Sequence, residues 1–107
     1  MKPAAPIALY FDAAKETGGD APLDAFSPDA TVRDEGKTHV GHAAIEAWWR
    51  AAHEAYGHTA EPCEIRDEDG RTVVRARVEG QFPGSPALLT FTFGLRDARI
   101  STLEIGA

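Results

Sequence analysis

The chain has 107 residues, 43% of them hydrophobic, and its 11 Lys and Arg against 17 Asp and Glu give a net charge of −6 at pH 7 with neutral histidines. A chain of this length can bury a core of its own but has no room for a second domain of ordinary size, so residues 1–107 are expected to form a single domain. The acidic balance, with no cluster of Lys and Arg, argues against binding to nucleic acid or to an anionic membrane surface.

Neither a membrane span nor a secretory leader is expected. The longest apolar run, Ile7 to Phe11, is far shorter than the ~20 residues that cross a bilayer, and Pro6 and Asp12 interrupt what would be the apolar part of a signal peptide. Cys63 is the single cysteine and can form no internal disulfide, which suits a reducing compartment. We therefore expect a cytoplasmic protein with Cys63 packed on a strand.

Three helices are predicted in the first half of the chain. Apolar residues at helical spacing predict the first over residues 4–17, ended by Gly18-Gly19. Asp20 is placed to cap a short second helix that runs through Ala25 or Phe26 and stops at residues 27–29. The third, residues 41–56, has Ile45, Trp48, Trp49, Ala52 and Tyr56 on one face and Gly57 at its end.

Strands are predicted from residues of alternating character. Residues 30–35 form a short strand between the second and third helices, with Ala30, Val32 and Asp34 on one side. After Gly57 the period changes to two, which predicts a hairpin turning at residues 67–70, a connection at residues 82–86, and two last strands turning at Asp97-Ala98. In these strands the following sets are each predicted to share one face: Glu61, Cys63 and Ile65; Thr72, Val74, Ala76 and Val78; Leu89, Phe91, Phe93 and Leu95; and Leu103 and Ile105. The fold class is α+β, with three helices on one face of a curved, mostly antiparallel sheet.

Asp34 is the first candidate for chemistry, because the alternation turns its carboxylate toward the side of Ala30 and Val32, which should face the core. Desolvation there would raise its pKa, as a general base working near neutral pH requires. The alternative is a strand-end Asp that bonds to local backbone N–H groups or pairs with Arg33 and has no catalytic role.

Aromatic residues are the second set of candidates. Tyr10 lies on the inner face of the first helix with a hydroxyl that must find a partner if it is buried, and a phenol donates well to an oxyanion. Trp48, Trp49 and Tyr56 could roof a pocket for a flat hydrophobic ligand. Ordinary core packing is the alternative for all four residues.

Metal and nucleophile sites are not expected. His39 and His42 form an HxxH with Glu46 one turn further on, but no further ligand completes the three or four that zinc needs. His53 and His58 are interpreted as a solvated helix residue and a loop residue. The serines lack the setting of a nucleophile elbow, and we expect no cofactor.

The order of elements resembles the NTF2-like superfamily over nearly the whole chain. The segments Asp29-Ala30-Thr31-Val32-Arg33-Asp34 and Gly41-His42-Ala43-Ala44-Ile45 resemble its ketosteroid-isomerase and SnoaL-like polyketide-cyclase branches, and Phe82-Pro83-Gly84-Ser85-Pro86 resembles the SnoaL-like group. The resemblance implies a cone, a bent sheet wrapped on helices around a pocket, and a homodimer through the outer face of the sheet, here near Thr90 and Thr92.

The isomerase comparison assigns roles to two residues. It implies Asp34 as the base that moves a proton between carbons flanking a carbonyl and Tyr10 as the donor to the enolate oxygen. Phe91 stands where the isomerase has its second, acidic donor, and Trp49 where it has a supporting tyrosine. The polyketide cyclases place their base on a later strand, whereas residues 81–96 of this chain contain no Asp, Glu or His.

The sequence therefore predicts a protein that binds a small hydrophobic molecule and acts as an isomerase or cyclase on a steroid- or polyketide-like carbonyl compound. Its partners are expected to be that molecule and a second copy of the chain. The apolar lining is expected to include Trp48, Trp49, Tyr56, Phe82 and Phe91. The alternative is a module of the same fold that binds a ligand or a protein without catalysis.

Overall fold

The structure is a computed structural model that describes residues 4–15 and 19–106. Its helices are α1 (Ala5–Ala14), a 3₁₀ helix (Leu23–Ala25) and α2 (His42–Tyr56). Its strands are β1 (Phe26–Asp34), β2 (Lys37–Val40), β3 (Thr59–Glu68), β4 (Arg71–Glu79), β5 (Ala87–Arg96) and β6 (Arg99–Gly106). No helix in this part of the chain is long and apolar enough to cross a membrane.

One six-stranded sheet carries the fold, in the order β2-β1-β6-β5-β4-β3. Every neighbouring pair is antiparallel except β1 and β6, which run parallel. Hairpins join β3 to β4 and β5 to β6 through turns in the left-handed region, at Asp69-Gly70 and Asp97-Ala98. The two predicted hairpins and the α+β class are confirmed.

The core lies between the helices and the inner face of the sheet. Ile7, Tyr10, Phe11 and Ala14 of α1 are buried there, as their helical spacing predicts. In β4 the residues Val74, Ala76 and Val78 share one face, as predicted, and are buried there, while Arg75 and Arg77 are exposed on the other face. Burial of apolar side chains on one face of each element supplies most of the free energy that holds the layers together.

The predicted second helix is wrong, so the fold has two α-helices instead of three. Only Leu23–Ala25 forms a helical turn, and Pro22 before it has a non-helical backbone with φ −79° and ψ 66°. Phe26 then becomes extended and pairs with Ile100 of β6. Its side chain is fully buried in that position, which outweighs the weak helical preference of the short segment.

The first strand, β1, is longer than predicted, and the sequence did not predict β2, the strand that follows it. β1 begins at Phe26 instead of Ala30 and continues through a tight hairpin at Glu35-Gly36, both with positive φ, into β2. Asp34 pairs directly with Lys37 across this turn.

The predicted end of the first helix at Gly18-Gly19 falls partly outside the described residues, and α1 itself ends at Ala14.

Two bulges change the predicted faces of β3 and β5. The register of β3 shifts between Pro62 and Glu64. Glu61 and Cys63 are therefore exposed, and Cys63 is not packed as predicted, whereas Ile65 beyond the bulge packs against the core. The register of β5 shifts between Gly94 and Leu95, and Leu95 is 38% exposed. Because one extra residue reverses the alternation of a strand, a single alternation cannot describe both sides of a bulge, although both strands themselves are present.

Candidate functional site

A cavity of about 580 Å³ lies between α2 and the inner face of the sheet. Side chains from α1, the β1–β2 hairpin, α2 and strands β3 to β6 line it. All seven predicted site residues are among them: Tyr10, Asp34, Trp48, Trp49, Tyr56, Phe82 and Phe91. The fold thus gathers into one space residues that are up to 81 positions apart in the chain, the separation of Tyr10 and Phe91 (91 − 10 = 81).

Asp34 is the last residue of β1 and extends into the cavity from the sheet. Its side chain is half-buried, and its Oδ2 accepts a hydrogen bond of 3.0 Å from Nε1 of Trp48 on α2. This donor comes from a different element, and not from Arg33 or from the backbone beside Asp34. An N–H directed at one carboxylate oxygen holds the carboxylate in a fixed orientation and leaves the other oxygen available.

Tyr10 is buried, with 4% of its surface exposed. Its ring meets those of Phe11, Phe26, Trp49 and Phe93 edge to face, at centroid distances of 5.2 to 6.1 Å. Burial raises the pKa of the Tyr10 hydroxyl far above its usual value, and the negative charge of Asp34 raises that pKa further. Tyr10 is therefore a protonated hydrogen-bond donor at any physiological pH, within electrostatic reach of the carboxylate.

Trp49 and Phe91 supply apolar surface to the cavity. The indole N–H of Trp49 donates to the backbone carbonyl of Gly19 at 3.0 Å, so it is already used by the protein. Phe91 is buried and its ring packs against those of Phe11 and Phe93. Neither Trp49 nor Phe91 therefore offers a free hydrogen-bond donor to a ligand. Of the two predicted catalytic residues, Asp34 and Tyr10, only Tyr10 can donate to a ligand oxygen.

Two histidines belong to the cavity wall, a position that the sequence did not indicate. His53, interpreted as a solvated helix residue, is half-buried, and His58 is a loop residue as predicted. Both line the cavity, and their rings stack on each other at 4.4 Å. The ring of Trp49 stacks on the other side of His53, also at 4.4 Å. His58 immediately follows the helix-ending Gly57, whose left-handed backbone turns the chain back over α2. That turn is visible in the sequence, but the direction in which it sends His58 is not.

The remaining two histidines lie apart from one another. His39 lines the cavity beside Trp48, with ring centroids 6.1 Å apart. Nε2 of His42 donates instead to the carbonyl of Phe26 at 3.0 Å. Within residues 4–15 and 19–106 no three His, Cys, Asp or Glu side chains come together in a way that could hold a metal ion.

Comparison with known proteins gives a family and several related structures. The family described as the SnoaL-like domain matches residues 7–102. A candidate polyketide cyclase from Sinorhizobium meliloti is 46% identical, with a TM-score of 0.87 over 94% of this chain and 92% of that one. No curated protein matches the sequence.

More distant structures share the fold. A protein of Catenulispora acidiphila with a ketosteroid isomerase-like fold, solved with trimethylamine, is 18% identical with a TM-score of 0.80 over 99% of this chain and 87% of that one. The epoxide hydrolase/cyclase-like enzyme SalBIII, from pyran ring formation in salinomycin, is 22% identical with a TM-score of 0.77 over 94% and 86% of the two chains. The family match covers nearly the whole sheet and both helices. The chain therefore belongs to the SnoaL-like domain family, within the NTF2-like fold.

Proposed function

We propose that the protein binds a small hydrophobic carbonyl compound in this cavity and catalyses an isomerisation or cyclisation in which Asp34 is the base. The observation that carries the proposal is that the Asp34 carboxylate and the buried Tyr10 phenol line the same cavity within electrostatic reach of one another. Apart from Glu35, Lys37 and three histidines, the remaining lining is aromatic and aliphatic. Such a cavity, apolar with a few convergent polar groups, is typical of a small-molecule site.

In the proposed reaction Asp34 removes a proton from a carbon next to the substrate carbonyl. The electron pair of the broken C–H bond moves to the carbonyl oxygen as an enolate, and the Tyr10 hydroxyl stabilises that oxygen with a hydrogen bond. In an isomerisation Asp34 returns the proton to a different carbon. In a cyclisation the enolate carbon attacks a second carbonyl carbon of the same molecule, and the new alkoxide takes up the proton.

The enolate receives less stabilisation than it would with two donors. Phe91 cannot donate, and the Trp49 N–H is held by Gly19. Loss of one donor of an oxyanion site costs on the order of 10²–10³ in rate. We therefore expect turnover of substrates whose C–H bond is already acidified, such as a carbon between a carbonyl and an alkene or a second carbonyl.

The similarity to the candidate polyketide cyclase supports a polyketide-like substrate more than a steroid, because the two sequences are 46% identical and the match covers 94% of this chain. The isomerase-like and SalBIII structures, at 18% and 22% identity, support the fold alone. We extend the proposal to a cytoplasmic location, for which the single, exposed thiol of Cys63 is the supporting observation.

The test is proton transfer on a β,γ-unsaturated ketone, with steroid and non-steroid examples, by wild type, Asp34→Asn and Tyr10→Phe. We expect Asp34→Asn to abolish turnover and Tyr10→Phe to reduce kcat by at least tenfold. Asp12→Asn is the matched control, because Asp12 is an exposed carboxylate on α1 that pairs with Lys15. Turnover that survives in Asp34→Asn would contradict the proposal.

The second candidate function is ligand binding without turnover, and the incomplete set of oxyanion donors favours it. In that case the wild type binds the ketone, Tyr10→Phe weakens the binding, and no product forms. If the protein bound neither the steroid nor the non-steroid ketones and a second protein co-purified with it, the result would instead indicate a protein-association module.

A further inference from the structure

His58 is placed where it can contact a ligand at a point distant from Tyr10. Three rings stack in sequence along one wall of the cavity, Trp49 on His53 and His53 on His58, each at 4.4 Å and within 28° of parallel. Tyr10 meets the first of these rings, Trp49, at 5.5 Å. His58 is therefore the far end of a row that begins at Tyr10, beside Tyr56 and the Phe82 loop.

The hydrogen bonds of the two histidines differ. Nδ1 of His53 donates to the Trp49 carbonyl at 2.8 Å, and its Nε2 is enclosed with no hydrogen-bond partner among the described residues. In His58 it is Nδ1 that is enclosed and has no hydrogen-bond partner in the part of the chain that the structure describes. Nε2 is then the nitrogen through which His58 can reach a ligand, because His58 lines the cavity.

The charge state of His58 follows from its neighbours. Burial and the adjacent His53 lower the pKa of His58, and the carboxylate of Asp34 and the backbone of Ala52 act in the opposite direction with smaller effects. The ring is therefore mainly neutral at pH 7. A neutral imidazole has one donor and one acceptor nitrogen, so Nε2 can bond to a hydroxyl group in either tautomer, since a hydroxyl both donates and accepts.

We propose that His58 is a specificity-determining residue that binds a hydroxyl group of the ligand, so that the ligand is a hydroxylated carbonyl compound with its two oxygens at opposite ends. This inference rests on the proposed function for the carbonyl end, where Tyr10 and Asp34 act. It adds a second polar contact, at the His58 end, and so excludes purely monofunctional ketones as the preferred ligands.

The test compares 2-tetralone with 6-hydroxy-2-tetralone, which differ by one hydroxyl at the end opposite the carbonyl. We expect the wild type to bind the hydroxylated ketone about tenfold more tightly, the value of one hydrogen bond of about 1.4 kcal/mol. His58→Phe keeps a ring to stack on His53 but has no nitrogen, and should bind both ketones equally. His58→Gln, with an amide near the position of Nε2, should keep the preference.

Exchange of the C1 hydrogen of each ketone for deuterium, followed by NMR, separates this inference from the proposed function. If exchange requires Asp34 but the wild type does not bind the hydroxylated ketone more tightly, the role of His58 is overturned and the role of Asp34 as the base stands. A preference lost in His58→Phe, without exchange, would support the role of His58 and contradict the base. Equal binding of both ketones by the wild type, or binding of neither, would overturn the inference.

Discussion

The indole N–H of Trp48 and the carboxylate of Asp34 join α2 to the end of β1 through a single hydrogen bond of 3.0 Å. Both residues line the same cavity. Helix α2 therefore sets the position of the proposed base, because the Trp48 side chain that forms part of the cavity wall also holds the Asp34 carboxylate. A carboxylate at a strand end beside a tight turn would otherwise be free to rotate into solvent.

Trp48→Phe tests this positioning role. The variant keeps an aromatic ring but removes the donor, and we expect kcat to fall by about tenfold while KM changes little, because the carboxylate loses its fixed orientation. Unfolding in urea should show a loss of about 1 kcal/mol. In an Asp34→Ala background, which removes the acceptor, the same substitution should cost less, since the two residues are coupled. Additive effects on the free energy of unfolding would contradict the coupling.

Gly80 makes the backbone packing behind His58 possible. A Cβ at this position would lie 2.6 Å from Cβ of His58 and 2.9 Å from the carbonyl oxygen of Tyr56. We expect Gly80→Ala to destabilise the protein by about 1–3 kcal/mol through overpacking and to displace His58 from the cavity wall.

Gly106→Ala is the matched control for that substitution, because a Cβ at Gly106 meets nothing within 4 Å. Both variants would be measured by urea unfolding. If Gly80→Ala were as stable as Gly106→Ala, the close packing of the chain around His58 would be wrong.

The sequence predicted most of the site because periodicity places side chains on faces. The alternation of β1 put Asp34 on the inner side, and helical spacing put Tyr10 and Trp49 on inner faces; the structure has all three at the cavity. A face is a local property of the chain, so it can be deduced from a short window of residues.

What could not be predicted depends on contacts distant in the chain. Phe26 joins the sheet because Ile100, 74 residues later (100 − 26 = 74), offers it a strand to pair with. The hydrogen bond between Asp34 and Trp48 needs the hairpin at Glu35-Gly36 to bring α2 back over β1. His58 faces inward because the chain reverses at Gly57. Each outcome is decided by tertiary packing, which local propensity does not contain.

The raised pKa of Tyr10 predicts a loss of stability at alkaline pH. Its hydroxyl stays protonated in the folded protein above pH 10, its ordinary pKa, whereas in the unfolded chain it ionises. The unfolded state then binds fewer protons, so stability is fully present below about pH 10 and declines as the pH rises further. The loss at pH 11 should be about 1.4 kcal/mol from this residue.

Urea unfolding at pH 8 and pH 11 would measure this effect. Tyr10→Phe has no hydroxyl to ionise and should lose less stability between the two pH values than the wild type does. Equal losses in both proteins would mean that the Tyr10 hydroxyl reaches water and ionises in the folded state, which would also weaken its assignment as a buried donor.

The outer face of the sheet is the surface on which we expect a homodimer. Thr90 and Thr92 are half-buried there, and Leu88 on the same face is 52% exposed. Thr92 pairs across the sheet with Glu104, which pairs in turn with Arg33. Thr90, Thr92, Glu104 and Arg33 border a shallow hollow of about 370 Å³. A face with apolar and hydroxyl side chains at its centre and both charge signs around them suits a two-fold interface, in which each patch meets its own copy.

Thr92→Arg tests the interface by placing two like charges at its centre. We expect light scattering at micromolar concentration to give twice the 11.5 kDa chain mass for the wild type and a single chain mass for the variant. Ala47→Arg adds the same charge on the exposed side of α2 and should leave the dimer intact. A wild-type monomer would contradict the prediction, and a dimer that survives Thr92→Arg would move the interface to another surface. Because the cavity lies on the opposite face of the sheet from Thr92, the monomeric variant should still bind its ligand.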